Sequence, residues 1–321
     1  MVKKMKRKKL KVMLILNPAA GYKRGRMPPL GRMNIARLKE VYMPKKSNIE
    51  ILKDIENTFA KNKLPIHTYL TKKRMDATRM AKQCVRKRYD IVVAAGGDGT
   101  INEVINGLAK SKAKVGIIPL GTANAFAAEF NIPFDIKKAC NVIINGKTKT
   151  IDLGIANKRY FALCAGIGFD AKTIKNVKLR EKKIFGSFAF ILAGIRTLFT
   201  YKFHRLRCTI DNRIKKRCYH TVVGNGRYYG GLFEVTKNPK IDDSLLDVAI
   251  YKGKGFFRMV TYIFGVSFDS KVKHLNVEHF KAKKVRITSK IRTDAHVDAE
   301  LIGTTPVEIK VVPKALNVIY N

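Results

Sequence analysis

The stretch AAGGDGTINEVINGL, residues 94–108, decides how the rest of this sequence is interpreted. An apolar run at 91–95 leads into it, and apolar residues recur at helical spacing after Thr100. This pattern predicts a buried strand, a glycine turn and a helix. Glycines let the backbone approach a ligand closely, and the first N–H groups of the helix face the same place. We therefore expect phosphate at this turn, with Asp98 holding a metal ion, its water or a ribose hydroxyl.

The composition sets broad limits on the function. The chain has 321 residues, 46% of them hydrophobic, which suits two folded domains. Lys and Arg total 65 against 24 acidic residues, a formal net charge of +41. Such a chain attracts nucleic acid or an anionic membrane, although an organism with generally basic proteins would give the same balance. The basic residues are spread along the chain without a zinc-finger or RNP-like pattern, so we expect a membrane and no specific nucleic acid.

The cysteines and the apolar runs indicate where the protein works. Its five cysteines are odd in number and lack CxxC spacing, which favours a reducing compartment. Residues 1–11 are a basic tail, either a solvated end or a contact for lipid head groups. No apolar stretch is long enough to span a bilayer. We predict a cytoplasmic protein that associates peripherally with the membrane.

Strand, turn and helix patterns alternate through residues 12–147. This alternation predicts an α/β domain with a parallel sheet and crossover helices, one of which Asp76 is expected to cap. Polar turns follow four predicted strands: NPAAG at 17–21, Thr71, GGDGT at 96–100 and GTAN at 121–124. Ligands of such sheets gather at the carboxyl ends of the strands, so one crevice is expected to hold all four turns.

The pattern changes to short alternating strands over residues 148–321. These strands predict an antiparallel second domain, whose last strand is free to return to the first domain. Among them are runs at 160–165 and 216–225, and a hairpin tip at residues 211–212. The apolar helix at 185–199 either borders a ligand site or belongs to the core.

Two acidic motifs of the second half are candidate sites. In NPKIDDSLLDV, residues 238–248, Asp242 and Asp243 are either partners of a cation or solvated residues of a polar turn. In HVDAE, residues 296–300, Asp298 and Glu300 face the same way in an extended chain, so one could accept a proton that the other orients. The alternative is that Asp298 and Glu300 are solvated surface residues without a function. The GIGFDA segment at 166–171 fits a dinucleotide fingerprint but lacks the βαβ context that this chemistry needs.

Taken together and in this order, the motifs resemble the diacylglycerol kinase catalytic-domain family. That family includes bacterial lipid kinases of the DgkB and YegS type and the sphingosine and ceramide kinases. The resemblance runs from residue 12 to about 320 and rests on NPAAG, AAGGDGTINEVINGL, IIPLGTANAFA, IDLG, GIGFDA, VVGNGRYYGG, IDDSLLDV and VDAE. GGDGT alone also occurs in NAD kinases and phosphofructokinases. The resemblance implies an α/β nucleotide-binding domain at 12–147, an antiparallel β-sandwich at 148–321 and a cleft between them.

The resemblance also implies the residues of the site. The implied ATP contacts are Asn17, Pro18, Ala19, Ala20, Gly21, Thr71, Gly96, Gly97, Asp98, Gly99, Thr100, Ile101, Asn102 and Thr122. Asp98, with Asp152 nearby, belongs to the implied network of magnesium and phosphate. A structural magnesium site is implied at the Asp243 side chain and the carbonyls of Lys240 and Leu245. Catalysis is implied for Asp98, Asp298 and Glu300, with one of the last two as the general base.

The activity implied is that of an ATP- and magnesium-dependent lipid kinase, which phosphorylates a primary hydroxyl of a lipid such as diacylglycerol in an anionic membrane. The alternatives are a sphingosine- or ceramide-type lipid kinase, an NAD kinase-like enzyme and a catalytically silent membrane-binding homologue. The sequence leaves the lipid and the oligomeric state open, a homodimer included.

Three departures from the family pattern bear on the activity. Ala125 stands where many bacterial diacylglycerol kinases carry Asp, and this resembles the sphingosine and ceramide kinases. Ala299 replaces the glycine of the DGE motif, and Ser244 replaces the glycine of the magnesium turn. If these two positions need a positive φ, each side chain costs about 1 kcal/mol. A weakened or altered activity is therefore an open alternative.

Overall fold

A computed structural model describes residues 10–20, 47–178, 181, 188–229, 233–234, 236, 239–267 and 276–321. The strands of the first half are β1 (Val12–Leu16), β2 (Ile66–Leu70), β3 (Ile91–Gly96) and β4 (Lys114–Pro119). Its helices are α1 (Asn48–Lys61), α2 (Asp76–Arg86), α3 (Asp98–Leu108), α4 (Ala125–Glu129) and α5 (Ile136–Asn145). The strands pair in parallel in the order β2-β1-β3-β4. The residues of β1 and β3 are buried throughout, as in a sheet covered by helices on both faces.

The helices of this half form because each presents one apolar face to the sheet. α1 begins with a capping box in which Ser47 and Glu50 bond each other's backbone, and it buries Ile51, Ile55 and Phe59. α1 lies against α5, and α2 lies against α3. The helix that follows the glycine turn is thus fixed by a neighbouring helix as well as by the sheet.

The prediction that Asp76 caps α2 is wrong. The helix starts after Met75, whose φ is 68°, and the Asp76 carboxylate instead accepts two backbone N–H groups of the preceding turn. The cap comes from Glu103 of α3, whose carboxylate accepts the N–H groups of Met75 at 2.9 Å and Ala77 at 3.2 Å. A carboxylate distant in sequence therefore satisfies the helix start, and it ties α2 to the helix of the glycine turn.

The second half is built mainly from strands. Its strands are β5 (Lys147–Ala156), β6 (Arg159–Phe161), β7 (Cys164–Ile167), β8 (Leu206–Ile210), β9 (Ile214–Cys218), β10 (His220–Gly224), β11 (Tyr228–Tyr229), β12 (Phe233–Glu234), β13 (Leu246–Tyr251), β14 (Val277–Ala282), β15 (Lys284–Ser289), β16 (Asp294–Val297), β17 (Glu300–Thr304) and β18 (Val307–Tyr320). Its helices are α6 (Phe169–Asn176), α7 (Phe188–Thr200) and α8 (Phe256–Ser267). One antiparallel sheet has the order β14-β13-β10-β7-β16-β17, and its apolar residues share a core with those of β8, β15 and β18. The predicted fold class, an α/β domain followed by an antiparallel β-sandwich, is confirmed.

β18 links the two halves of the molecule. Its last residues pair in parallel with β4, through Asn317 and Lys114, and antiparallel with β5. Its first residues pair with β15, so the sheet of the first half continues into the sandwich. The pairing with β5 is irregular between Val312 and Leu316. The position of the sandwich relative to the glycine turn is therefore fixed by hydrogen bonds.

Two predicted strands of the second half are each two strands. The predicted strand at 216–225 divides at Tyr219, where the chain passes from β9 in one sheet to β10 in the other. The predicted strand at 160–165 divides in the same way between β6 and β7. The predicted hairpin tip is confirmed, since Asp211 and Asn212 both have positive φ between β8 and β9. Within the part of the chain that the structure describes, no helix is long and apolar enough to cross a membrane.

Candidate active site

Two glycine turns touch each other at the carboxyl ends of β3 and β4. A Cβ on Gly121 would lie 2.5 Å from the Cα of Gly97, closer than side-chain atoms approach backbone. Asn124, with a φ of 49°, holds the second turn by accepting from the N–H of Gly121 and donating to its carbonyl, both at 2.9 Å. Glycine is required here because the two backbones are in contact.

The NPAAG segment and Thr71 reach the same edge of the sheet. Asn17 donates its N–H to the Ala95 carbonyl and its side-chain amide to the Thr100 hydroxyl, each at 2.9 Å. The N–H of Thr71 donates to the Leu16 carbonyl at 2.9 Å. The structure thus brings these predicted ATP contacts to one edge.

The remaining predicted ATP contacts, in the NPAAG and GTAN turns, differ in their exposure to solvent. Pro18, Ala19 and Ala20 form the turn after β1, where Ala19 is exposed. Gly21 lies outside the described residues. Thr122 is exposed in the turn after β4.

The residues of the GGDGT segment differ in how accessible they are to a ligand. The Ile101 side chain is buried in the core, and its N–H donates to the Gly97 carbonyl at 3.1 Å. Gly96 is buried as well, and a Cβ there would lie 2.6 Å from the Cβ of Thr100. Gly99 is exposed. The part of this turn that a ligand can reach is therefore centred on Gly99.

Asp98 is the first residue of α3 and lies beside the start of α4. Its Oδ1 accepts the N–H of Phe126 at 3.4 Å. Burial raises the pKa of Asp98; the N–H of Phe126 lowers it, and the charge of Asp298 raises it further. Two carboxylates from opposite halves of the chain thus influence each other, and a cation between such groups would stabilise both.

Asp298 occupies the tight turn between β16 and β17 and is fully engaged. Its Oδ1 accepts the N–H groups of Leu163 and Cys164, both at 3.0 Å. Its Oδ2 accepts the N–H of Ala162 at 2.8 Å and the side-chain amide of Asn102 at 2.9 Å. Burial raises the pKa of Asp298, and the backbone N–H groups oppose that rise. Each carboxylate oxygen therefore already accepts two hydrogen bonds.

Glu300 begins β17 and lies next to the glycine turn. Its Oε1 is 3.4 Å from the position that a Cβ on Gly99 would take. Its Oε2 pairs with Arg159 at 2.5 Å and with Arg74 at 3.4 Å. Of the two acidic residues of the VDAE motif, Asp298 braces the turn and Glu300 reaches across to the first half.

Sequence patterns missed Arg159 and Asn106. Arg159 donates to the side-chain carbonyl of Asn102 at 2.9 Å and pairs with Glu300, so it joins the two halves. Asn106 clamps α3 to β6 by bonding both the N–H and the carbonyl of Tyr160 at 2.9 Å. Residues 157 and 158 both have positive φ and form a tight hairpin just before Arg159, but no motif or periodicity in the sequence indicates the role of Arg159 or Asn106.

The IDDSLLD turn has internal partners for its carboxylates. Asp152, buried on β5, accepts the N–H of Ser244 at 2.6 Å and of Lys314 at 2.7 Å. The Asp243 carboxylate pairs with the Lys281 ammonium at 2.8 Å, and Asp247 pairs with the same ammonium at 3.2 Å.

A divalent cation at this turn does not fit the present arrangement, because it would displace the ammonium of Lys281 from Asp243. Across the described residues, no group of three or more His, Cys, Asp or Glu side chains is placed to hold a metal ion. The magnesium ligands implied for the Asp243 side chain and the carbonyls of Lys240 and Leu245 remain a prediction.

Family models match both halves of the chain. Residues 44–156 match the diacylglycerol kinase catalytic domain. Residues 164–320 match the YegS C-terminal NAD kinase beta sandwich-like domain. The chain belongs to the diacylglycerol kinase family. The predicted family is confirmed, and with it the prediction of a kinase.

Individual members of the diacylglycerol kinase family agree with this assignment. A diacylglycerol kinase of Staphylococcus haemolyticus is 33% identical over 241 residues, which are 74% of this chain and 73% of that protein. A diacylglycerol kinase of Staphylococcus aureus strain Newman is 32% identical over the same length, 76% of that protein. A crystal structure assigned as a diacylglycerol kinase from Bacillus anthracis superposes with a TM-score of 0.76 at 28% identity, covering 98% of this chain and 99% of the other.

Proposed function

We propose that this kinase transfers the γ-phosphate of ATP to a primary hydroxyl of a membrane lipid such as diacylglycerol. The observation that carries the proposal is the position of Glu300, whose Oε1 lies beside Gly99 of the glycine turn. A carboxylate from the sandwich thus stands next to the place where phosphate is expected. That arrangement suits proton transfer to a base at the moment when phosphate is transferred.

ATP, carrying magnesium as part of the substrate, would bind along the edge formed by Asn17, Thr71 and the glycine turn. The N–H groups at the start of α3 and the positive end of its dipole favour the phosphates there. Asp98 would contact the magnesium that accompanies ATP, because its carboxylate is close enough to Asp298 for the two charges to repel, and a cation beside them offsets that repulsion. The close contact of Gly97 with Gly121 keeps side chains out of this part of the cleft.

The general base would be Glu300. As the lipid oxygen attacks the γ-phosphorus, its proton passes to Oε1, the P–O bond to ADP breaks, and ADP leaves with the electron pair. Arg159 and Arg74 hold Oε2 and would place positive charge beside the transferred group. Asp298 acts as a positioning residue, since its four hydrogen bonds fix the turn and Asn102.

The surface supports contact with a membrane. On the apolar helices α7 and α8, Phe199 is 72% exposed and Phe257 is 82% exposed. Exposed aromatic side chains on a protein with a net charge of +41 suit the interface of an anionic bilayer. We propose that the protein is cytoplasmic and binds the membrane peripherally through this face.

A sphingosine- or ceramide-type acceptor is the second candidate. Ala125 favours it, because this residue at the start of α4 replaces the Asp of many bacterial members. The test is a radiolabelled ATP assay in mixed micelles with diacylglycerol, ceramide, sphingosine and NAD as acceptors. Phosphorylation of diacylglycerol supports the first candidate, and phosphorylation of a sphingoid lipid supports the second. If NAD alone is phosphorylated, or no acceptor is, the lipid kinase proposal is overturned.

A further inference from the structure

A second polar cavity, of about 230 Å³, lies at the far end of the sandwich strands from the catalytic turn. Gly168, which lines it, follows the last residue of β7, whereas Cys164 at the other end of β7 donates to Asp298. Asp294, also in the lining, is the first residue of β16, and Asp298 follows its last residue. A strand of four residues spans about 13 Å, so the cavity is distinct from the proposed active site.

The charge of this cavity is positive. Lys172, Lys202, Arg292 and His204 line it, and none of the three permanent cations has a carboxylate partner among the described residues. The acidic residue in the described lining, Asp294, already pairs with Lys175 at 2.9 Å. A ring of unpaired cations around a concave site attracts an anion.

Asp170, in the first turn of α6, is a second carboxylate near this cavity. One of its oxygens lies 2.9 Å from the His296 Nε2, and the other lies 3.5 Å from the His220 Nδ1. Its Oδ1 also accepts the N–H of Ala171 at 2.7 Å. The Asp170 carboxylate is thus engaged with buried groups and is not part of the cavity lining.

The hydroxyl of Tyr201 is a hydrogen-bond donor held in a fixed position near the cavity. Its oxygen is buried and has no hydrogen-bond partner among the described residues. The rings of Phe169 and Phe203 pack edge-on against the tyrosine ring, at 5.6 Å and 4.9 Å between centroids, and fix its orientation. A buried hydroxyl without an acceptor is costly, so an acceptor atom of a ligand would satisfy it.

α6 completes the site with its N-terminus. Gly168 precedes the helix with a φ of 119° and provides no side-chain cap. A Cβ at Gly168 would lie 3.3 Å from the Tyr201 hydroxyl oxygen and 3.1 Å from the Tyr219 carbonyl, so glycine lets the helix start close to that hydroxyl. The first N–H groups of a helix favour an anion.

We propose that this cavity binds a phosphate group, held by the Tyr201 hydroxyl, the start of α6 and the cations Lys172, Lys202 and Arg292. The chemistry fits a phosphomonoester dianion, from a lipid head group or from a soluble phosphate. α7 ends at Thr200, directly before Tyr201, and carries the exposed Phe199. A head group could therefore enter while the apolar face of α7 lies in the bilayer.

The test compares the wild-type protein with Tyr201→Phe, the double variant Lys202→Gln with Arg292→Gln, and Lys137→Gln as the control. Lys137 is exposed on α5, far along the chain from the cavity. Inorganic phosphate is titrated calorimetrically with the cleft saturated by a non-hydrolysable ATP analogue. We expect Tyr201→Phe to weaken phosphate binding about tenfold, the double variant to weaken it further, and the control to match the wild type.

Thermal unfolding separates a binding role of the hydroxyl from a structural one. Without phosphate, Tyr201→Phe should melt at or above the wild-type temperature, because it removes an unsatisfied buried hydroxyl. A lower melting temperature, with phosphate affinity unchanged, would overturn the proposal.

Vesicles identify the source of the phosphate. The double variant and the wild type are compared on phosphatidate vesicles and on phosphatidylcholine vesicles brought to the same net charge with phosphatidylglycerol. If the variant loses more affinity for the phosphatidate vesicles than for the control vesicles, the site binds a lipid head group. If the variant loses affinity for inorganic phosphate but not for phosphatidate vesicles, the site binds a soluble phosphate. If both variants bind phosphate and phosphatidate as the wild type does, the cavity is not a phosphate site. The kinase activity does not enter any of these readings.

Discussion

Two turns of this molecule are rich in carboxylates, but the carboxylates have different partners in each turn. At the VDAE turn, amides and two arginines hold the carboxylates in place, and Glu300 Oε1 stays beside the glycine turn. At the IDDSLLD turn, Asp243 and Asp247 share the ammonium of Lys281, and Asp242 pairs with Lys149 at 3.0 Å. The partner of a carboxylate, more than its presence in a motif, therefore decides whether it is available for chemistry.

Among variants of the first half of the chain, the largest effect is expected at Asp98. Asp98→Asn should lower kcat at least about 100-fold, because a charge that contacts the magnesium of ATP is lost. The same variant should be more stable than the wild type at neutral pH. Burial and the nearby Asp298 raise the folded-state pKa of Asp98 above 3.8, so its ionisation destabilises the fold as pH rises through that range. Asparagine keeps an acceptor for Phe126 and removes this cost.

The stability gain of Asp98→Asn should vanish as the pH falls below about 3.8, where the wild-type carboxyl is protonated in both states. Urea unfolding of both proteins at several pH values measures the difference. A variant that is less stable than the wild type at pH 7 would contradict the described electrostatics.

The contact between the two glycine turns gives the next effect. Gly121→Ala should lower kcat/KM about 100-fold, because its Cβ would force the GTAN and GGDGT turns apart. Gly194→Ala is the matched control, since among the described residues its Cβ would meet only the Thr173 methyl, at 3.8 Å. Steady-state kinetics with ATP as the varied substrate measures both. Equal losses in the two variants would mean that the turn contact has no special role.

At the second acidic turn, Lys281→Gln should destabilise the protein by about 1 kcal/mol. The lysine side chain is 41% exposed, which limits the strength of the pair, yet Asp247 would lose its partner while nearly buried. The variant Lys284→Gln, which leaves the half-buried Glu308 with another lysine, serves as the control.

The same proteins test whether a metal ion holds this turn. Urea unfolding is measured with EDTA and with magnesium, and the wild type should be equally stable in both. Magnesium should restore part of the loss in Lys281→Gln only. Loss of wild-type stability in EDTA, with Lys281 dispensable, would show that a metal ion holds the turn.

The smallest effect concerns the strained turn positions. Ala299 has a φ of 63°, and Ser244 has a φ of 62°. Ala299→Gly should stabilise the protein by up to about 1 kcal/mol, because relief of the left-handed strain exceeds the entropy that glycine adds to the unfolded chain. Ala109→Gly, at a φ of −49°, should destabilise it. Thermal melts compare the two, and a lower melting temperature for Ala299→Gly would contradict the strain.

Much of the first half of the chain could be predicted because its signals are local. The apolar run of β1 and the alternating pattern of β2 match the bounds of these strands, and the glycine turn lies between the predicted strand and helix. The helix Ile136–Asn145 was not predicted. The second half could not be predicted as well, since alternation describes a strand but not the sheet it joins. The change of sheet at Tyr219 therefore left no trace in the pattern.

The sequence pointed to candidate site residues only where a motif implies a particular backbone conformation. Sequence analysis left open whether Ala299 needs the positive φ of the motif glycine that it replaces, and in the structure its φ is 63°. Arg159 and Lys281 could not be found this way, because each acts through a partner more than thirty residues away. Long-range ion pairs of surface-type residues have no sequence periodicity to reveal them.

A single-turnover assay of Glu300→Gln with ATP and diacylglycerol micelles, beside the wild type, shows whether this carboxylate is the general base. The proposed role of Glu300 predicts that phosphate transfer slows 100- to 10,000-fold, roughly the contribution of a general base. ATP affinity and melting temperature should stay near the wild-type values. Transfer at the wild-type rate by Glu300→Gln would contradict the claim that this carboxylate meets the glycine turn to perform the reaction.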